Sequence, residues 1–101
     1  MIKTNKKLQA DVIEEFGNDI QSTICMEECS ELIQAISKMK RGKDYRDNLS
    51  EEIADVIIAI TQLRIIYGIT DDEINNWILK KQARQKMLLE DRREEQYESI
   101  D

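Results

Sequence analysis

The chain has 101 residues, no proline, three glycines and no histidine, with 41% hydrophobic residues, 36% charged residues and a net charge of −6. Its length suits one domain, and its wealth of Leu, Ile, Glu, Lys, Gln and Arg favours helix. The acidic balance argues against a binder of nucleic acid polymer, which carries a basic stripe, and the lack of histidine excludes most zinc sites and any histidine general base.

A first helix is expected from about Lys6 to Phe16, where Leu8, Val12, Ile13 and Phe16 recur at helical spacing. Gly17 ends it. Asn18 then serves as the expected cap of a second helix, with Gln21 as its capping-box partner.

The second helix runs to about Arg41. At about 100° per residue, Ile24, Leu32, Ala35 and Met39 share one apolar arc. Glu28 projects into that arc and Glu31 lies at its edge beside Ile24. A carboxylate among core residues is costly unless it is paired, hydrogen-bonded or bound to a metal. Glu27 faces the more polar side. Cys25 and Cys29, four residues apart, suit neither a redox pair nor a full metal set, and are expected to be small buried side chains in a reducing compartment.

Gly42 stops the second helix, and Gly42–Asn48 reads as a polar loop. Lys40, Arg41, Lys43 and Arg46 around it fit a solvated cluster near a helix C-terminus. A third helix is expected to start near Leu49, with Asn48 as cap and Glu51 as partner, and to end at Gly68. It is apolar nearly all round, as in a helix at the centre of a fold or at a subunit interface. Two acids interrupt it: Glu52 projects between Ala59 and Leu63, and Asp55 between Gln62 and Ile66.

Thr70-Asp71-Asp72-Glu73 is a capping box. The fourth helix that follows places Ile74, Trp77, Ile78 and Leu88 on one face, with the cations Lys81 and Arg84 among them. From about Glu90 to Asp101 the sequence reads as a solvated helix end or tail. The first residues lack the apolar run of a signal peptide, and the apolar stretch 53–67 is broken by Asp55, Thr61, Gln62 and Arg64. A cytoplasmic protein with no membrane partner is expected. The fold expected is all-α: a single domain over 1–101, a four-helix antiparallel bundle-type protomer. So short a chain buries a limited fraction of its surface, which favours assembly with further subunits.

Glu28 and Glu31 are neighbours on one helix, as Glu52 and Asp55 are on the next. A short loop makes those helices antiparallel neighbours. Each pair alone could bridge to Lys or Arg across an interface, as in a non-catalytic helical oligomerisation module. Both pairs together, each set in an apolar stripe, favour a shared cation site. Ligands that are all oxygen suit hard ions, magnesium first and manganese second. Magnesium keeps open positions that meet phosphate, and Lys81 and Arg84 suit phosphate oxygens.

Glu27-Glu28-Cys29-Ser30-Glu31 followed by Glu52-Ile53-Ala54-Asp55 resembles the EExxE…ExxD signature of the MazG-like, all-alpha nucleoside triphosphate pyrophosphohydrolases. The flanks Leu32-Ile33-Gln34-Ala35-Ile36 and Leu49-Ser50-Glu51 also look like that family. Lys81-Gln82-Ala83-Arg84 resembles the basic Lys-x-x-Arg of its later helix. The resemblance covers about Phe16 to Met87.

It implies magnesium-dependent cleavage of a (deoxy)nucleoside triphosphate to the monophosphate and pyrophosphate, in a housecleaning or nucleotide-pool role. Glu28, Glu31, Glu52 and Asp55 match the family's metal ligands, and Lys81 and Arg84 its phosphate contacts. Glu27 matches the leading glutamate, with a supporting or water-orienting role. The ions polarise the phosphate chain and activate a water; without histidine, a metal-bound hydroxide or a carboxylate takes the proton. Family members assemble as dimers or dimers of dimers, so a homodimer or homotetramer is implied. A related activity on phosphoribosyl-ATP would use the same fold. The chain departs from some relatives in having Phe16 where they carry an early tryptophan, and Gln85 where they often place asparagine. Those positions bear on base recognition, for which Phe16, Tyr45, Tyr67 and Trp77 are the aromatic candidates.

Overall fold

The computed structural model describes residues 1–98, and it is all-α. Four helices follow one another: α1 Lys6–Phe16, α2 Asn18–Lys40, α3 Arg46–Tyr67 and α4 Asp71–Glu98. No strand occurs among the described residues. Two compact units are formed, Met1–Gly68 with α1 to α3, and the segment from Ile69 onward with α4.

α1 begins where Asn5 accepts a hydrogen bond from the Leu8 N–H at 3.0 Å, satisfying one of the donors that a helix start leaves open. It ends at Gly17, whose N–H reaches the Ile13 carbonyl at 2.7 Å. The inward face of α1 differs from the expected one. Ile13 is buried, but so is Gln9, while Leu8 and Phe16 are more than half exposed.

The start of α2 is also a correction. Asn18 lies inside the helix, Gly17 takes the cap position, and no side-chain cap bond forms. Gln21 is not a capping partner, because its amide is buried and committed elsewhere. α3 starts at Arg46, three residues before the expected Leu49, with Tyr45 at the cap position and no side-chain cap bond. Asn48 is therefore a first-turn helical residue rather than a cap. The C-terminus of α3 closes as expected: Gly68 is left-handed (φ 64°, ψ 31°) and donates its N–H to the Arg64 carbonyl, a conformation in which any Cβ is strained.

α2 and α3 pack along a seam that can be followed rung by rung. Gln21 meets Gln62 and Cys25 meets Ala59. Beyond these, Glu28 faces Asp55 and Glu31 faces Glu52. Ascending numbers on α2 meet descending numbers on α3, so the helices are antiparallel. The rungs advance by three and four residues, the spacing that keeps one stripe of a helix facing its partner. Small side chains let the helices approach: Cys25, Ala35 and Ala59 are the most buried apolar residues. Cys29, expected to be buried, is exposed.

The amide end of the seam is a closed network. Gln62 donates through Nε2 to Gln9 Oε1 at 2.8 Å and accepts at Oε1 from Gln21 Nε2 at 3.2 Å. The Cys25 thiol adds a contact to Gln62 Oε1 at 3.7 Å and donates to the Ala59 carbonyl at 3.4 Å. One buried glutamine thus ties α1, α2 and α3 together. Burial of such groups is tolerated because each finds a partner; the unmet alternative costs about 1–3 kcal/mol per group. Near the N-terminus, the hydroxyls of Thr4 and Thr61 share a 2.8 Å hydrogen bond that ties residues before α1 to α3.

The segment from Ile69 opens with the expected capping box. Thr70 N–H donates to Glu73 Oε2 at 2.7 Å, and Glu73 N–H donates to Thr70 Oγ1 at 3.2 Å. Three acids in the first turn, Asp71, Asp72 and Glu73, suit the positive end of the helix dipole. None of the residues of α4 is buried. No helix of the described residues is long and apolar enough to cross a membrane.

Candidate metal centre

The two acid pairs converge. α2 carries Glu28 and Glu31 one turn apart, α3 carries Glu52 and Asp55 one turn apart, and the antiparallel seam sets the pairs opposite each other. One carboxylate oxygen from each of the four residues lies within 4.8 Å of the others. The site sits inside the helix interface: Glu52 keeps only 9% of its accessible surface. Glu28 and Asp55 are half-buried, and Glu31 stands at the open side.

Such crowding is unfavourable for four ionised carboxylates. Burial pushes the Glu28 carboxyl above the ordinary glutamate value, and the charges of Asp55 and Glu31 push it further. Burial likewise raises Glu52, followed by the charges of Glu31 and Asp55. Every influence resolved on either group acts in the same direction, toward the protonated form. The Oε2 atoms of Glu28 and Glu52 are buried and accept no hydrogen bond from any described residue. Buried oxygens without donors in a native seam call for an explanation. A divalent cation would supply one, since it would meet the orphaned lone pairs and offset the repulsion together. The donor set, four carboxylates with neither thiolate nor imidazole, fits a hard ion.

The remaining expected residues are placed as follows. Glu27 is exposed and outside the cluster; its carbonyl accepts the Ser30 hydroxyl at 2.7 Å. Lys81 and Arg84 are exposed on α4. The Lys81 ammonium lies 5.9 Å, and that of Lys80 5.0 Å, from the centre of the Trp77 ring, within cation–π range. Lys80 was not singled out in the sequence, though its spacing of three residues from Trp77 carries the signal. Of the basic loop cluster, Lys40, Arg41, Lys43 and Arg46 are exposed, and the nearby Lys38 ammonium stands 5.2 Å from the Tyr45 ring centre.

One residue at the site escaped the sequence reading. Asn48, taken for a cap, donates through Nδ2 to Glu52 Oε1 at 3.4 Å, from one turn earlier on α3.

No curated protein and no solved structure matches the chain. A family model does, over residues 16–88: that of the MazG nucleotide pyrophosphohydrolase domain. The match takes in both halves of the carboxylate cluster as well as Lys81 and Arg84, and on it the chain belongs to the MazG nucleotide pyrophosphohydrolase family.

Proposed function

We propose that the protein is a magnesium-dependent nucleoside triphosphate pyrophosphohydrolase, converting a ribo- or deoxynucleoside triphosphate and water to the monophosphate and pyrophosphate. The observation that carries this is the four-carboxylate cluster, in which two buried oxygens meet no donor among the described residues. Glu28, Glu31, Glu52 and Asp55 hold the ion, with manganese as a substitute. When bound, the ion supplies charge neutralisation for the phosphate chain and a more acidic water.

The protein's own groups do the rest. Carboxylates fixed on two packed helices orient what they hold without reorganising, which is where most of the electrostatic benefit arises. Glu31, at the open side, is the member best placed to accept a proton from an attacking water; Glu27 supports the polar rim. Lys81 and Arg84 bind phosphate oxygens.

The same reading includes a homo-oligomer, dimer or tetramer. Its support is the outward apolar surface of the single chain, where Met26 and Ile33 on α2 are 73% and 68% exposed and Trp77 on α4 is 61% exposed. Sedimentation velocity distinguishes it from a monomer.

Pyrophosphate release across the ribo- and deoxynucleoside triphosphates, with magnesium and with manganese, tests the activity. Release from at least one substrate, abolished by chelation, is expected. No release from any of them with either ion rejects the proposal.

A further inference from the structure

Glu52 is the most buried of the four acids, and its two oxygens are not equivalent. Oε1 accepts the Asn48 amide at 3.4 Å. Oε2 is buried and accepts nothing from the described residues. The amide is a neutral donor, so it fixes the carboxylate without cancelling the charge that a cation needs. Both residues stand on the same face of α3, four residues and one turn apart. That geometry exists only because α3 begins at Arg46. Were Asn48 a cap, its side chain would turn back to the N–H groups of the first turn and Glu52 would lose its donor.

Resting on the metal-dependent reading above, we propose that Asn48 is a positioning residue: it holds Oε1 of Glu52 and so presents Oε2 alone to the divalent ion. A ligand held this way enters the coordination sphere through one oxygen in one orientation. Partners of this kind commonly contribute about 10–100-fold to metal affinity. The inference goes beyond the acidic signature, since Asn48 lies outside it.

The test is magnesium binding to the full chain without nucleotide, by isothermal titration calorimetry, with the melting temperature measured free of divalent ions. Asn48→Leu keeps much of the volume and removes the amide; Asn48→Ala removes both and favours helix. Each is expected to raise the magnesium Kd about tenfold or more, while the ion-free melting temperature stays near that of the native chain. Asn48→Gln keeps an amide on a longer stem and is expected to recover part of the affinity. Native Kd values for the Leu and Ala variants overturn the proposal while leaving the metal reading standing, as does an equal loss in all three variants. Absence of magnesium binding by the native chain overturns both.

Discussion

The α2–α3 seam has two ends that solve the same problem in opposite ways. At one end Gln21 and Gln62, with Gln9 from α1, bury three amides and give them partners within the protein. At the other end four carboxylates are brought together, and two of their buried oxygens meet no donor among the described residues. The amide end is complete as folded. The acidic end keeps these two buried oxygens without a donor from the described residues, as a cation site would. On the function proposed above, the contrast separates polar burial that specifies structure, which is satisfied internally, from polar burial that prepares a site.

The sharpest way to break this contrast is to neutralise the acidic end. Glu28→Gln and Asp55→Asn are each expected to reduce pyrophosphate release to background. Each also removes a like charge, so the ion-free melting temperature should hold or rise. Full activity in both variants would show that the ligand set is wrong.

Next in size is the effect of filling the site. Magnesium at about a hundredfold above its Kd should add about 2.7 kcal/mol of stability, read as an upward shift in melting temperature. Glu52→Gln should lose most of that shift. No shift in the native chain would place the acidic end on the same footing as the amide end.

A smaller loss is expected at the amide end. Gln62→Leu leaves Gln9 and Gln21 buried without their partner, at a cost of about 1–3 kcal/mol. Measured by chemical denaturation, that loss should appear equally with and without magnesium. A change in magnesium Kd as large as that of a ligand variant would show that the two ends are not independent.

The smallest effect is in pH. Glu28 and Glu52 both have carboxyls raised in the folded state, so the folded chain holds their protons more tightly than the unfolded chain does. Their contribution to ion-free stability is full below the ordinary glutamate value of 4.5 and is lost as pH rises through the raised values. The ion-free melting temperature should therefore fall as pH climbs above 4.5. Saturating magnesium should reverse that slope, because the ion binds the deprotonated acids. An ion-free protein that becomes more stable across the same rise would contradict the crowding described.

The acidic end was legible in the sequence for a physical reason. Glu28, Glu31, Glu52 and Asp55 fall at helical spacing inside apolar stripes, and a charge there stands out against its neighbours. The amide end was not legible. Gln9, Gln21 and Gln62 are ordinary surface residues in any amphipathic reading, and only the pairing of three helices shows that they are inside. On α1 the same ambiguity led to Leu8 being placed inward where Gln9 is buried. Helix ends gave the other differences. Asn18 and Asn48 have the local preference of caps, yet α2 starts directly after Gly17 and α3 gains nearly a turn. The Thr70–Glu73 box, in which both partners are local, formed as expected. Its success beside the failure of the other two reflects how much each depended on distant packing. Cys29 was misplaced because its neighbour Cys25 alone faces the seam.

The buried amides also bear on how the acids find each other in the first place. Gln21 and Glu28 are seven residues apart, as are Gln62 and Asp55, so the Gln21–Gln62 rung lies about 10 Å from the acidic one along the helix axis. Apolar stripes alone tolerate sliding, because isoleucine and alanine pack nearly as well one turn away. Amides do not, since displacement by a turn strands their donors and acceptors among hydrocarbon. The Gln62 network is therefore expected to disfavour shifted alignments of α2 and α3, and to do so without relying on the four carboxylates, whose mutual repulsion favours no alignment at all.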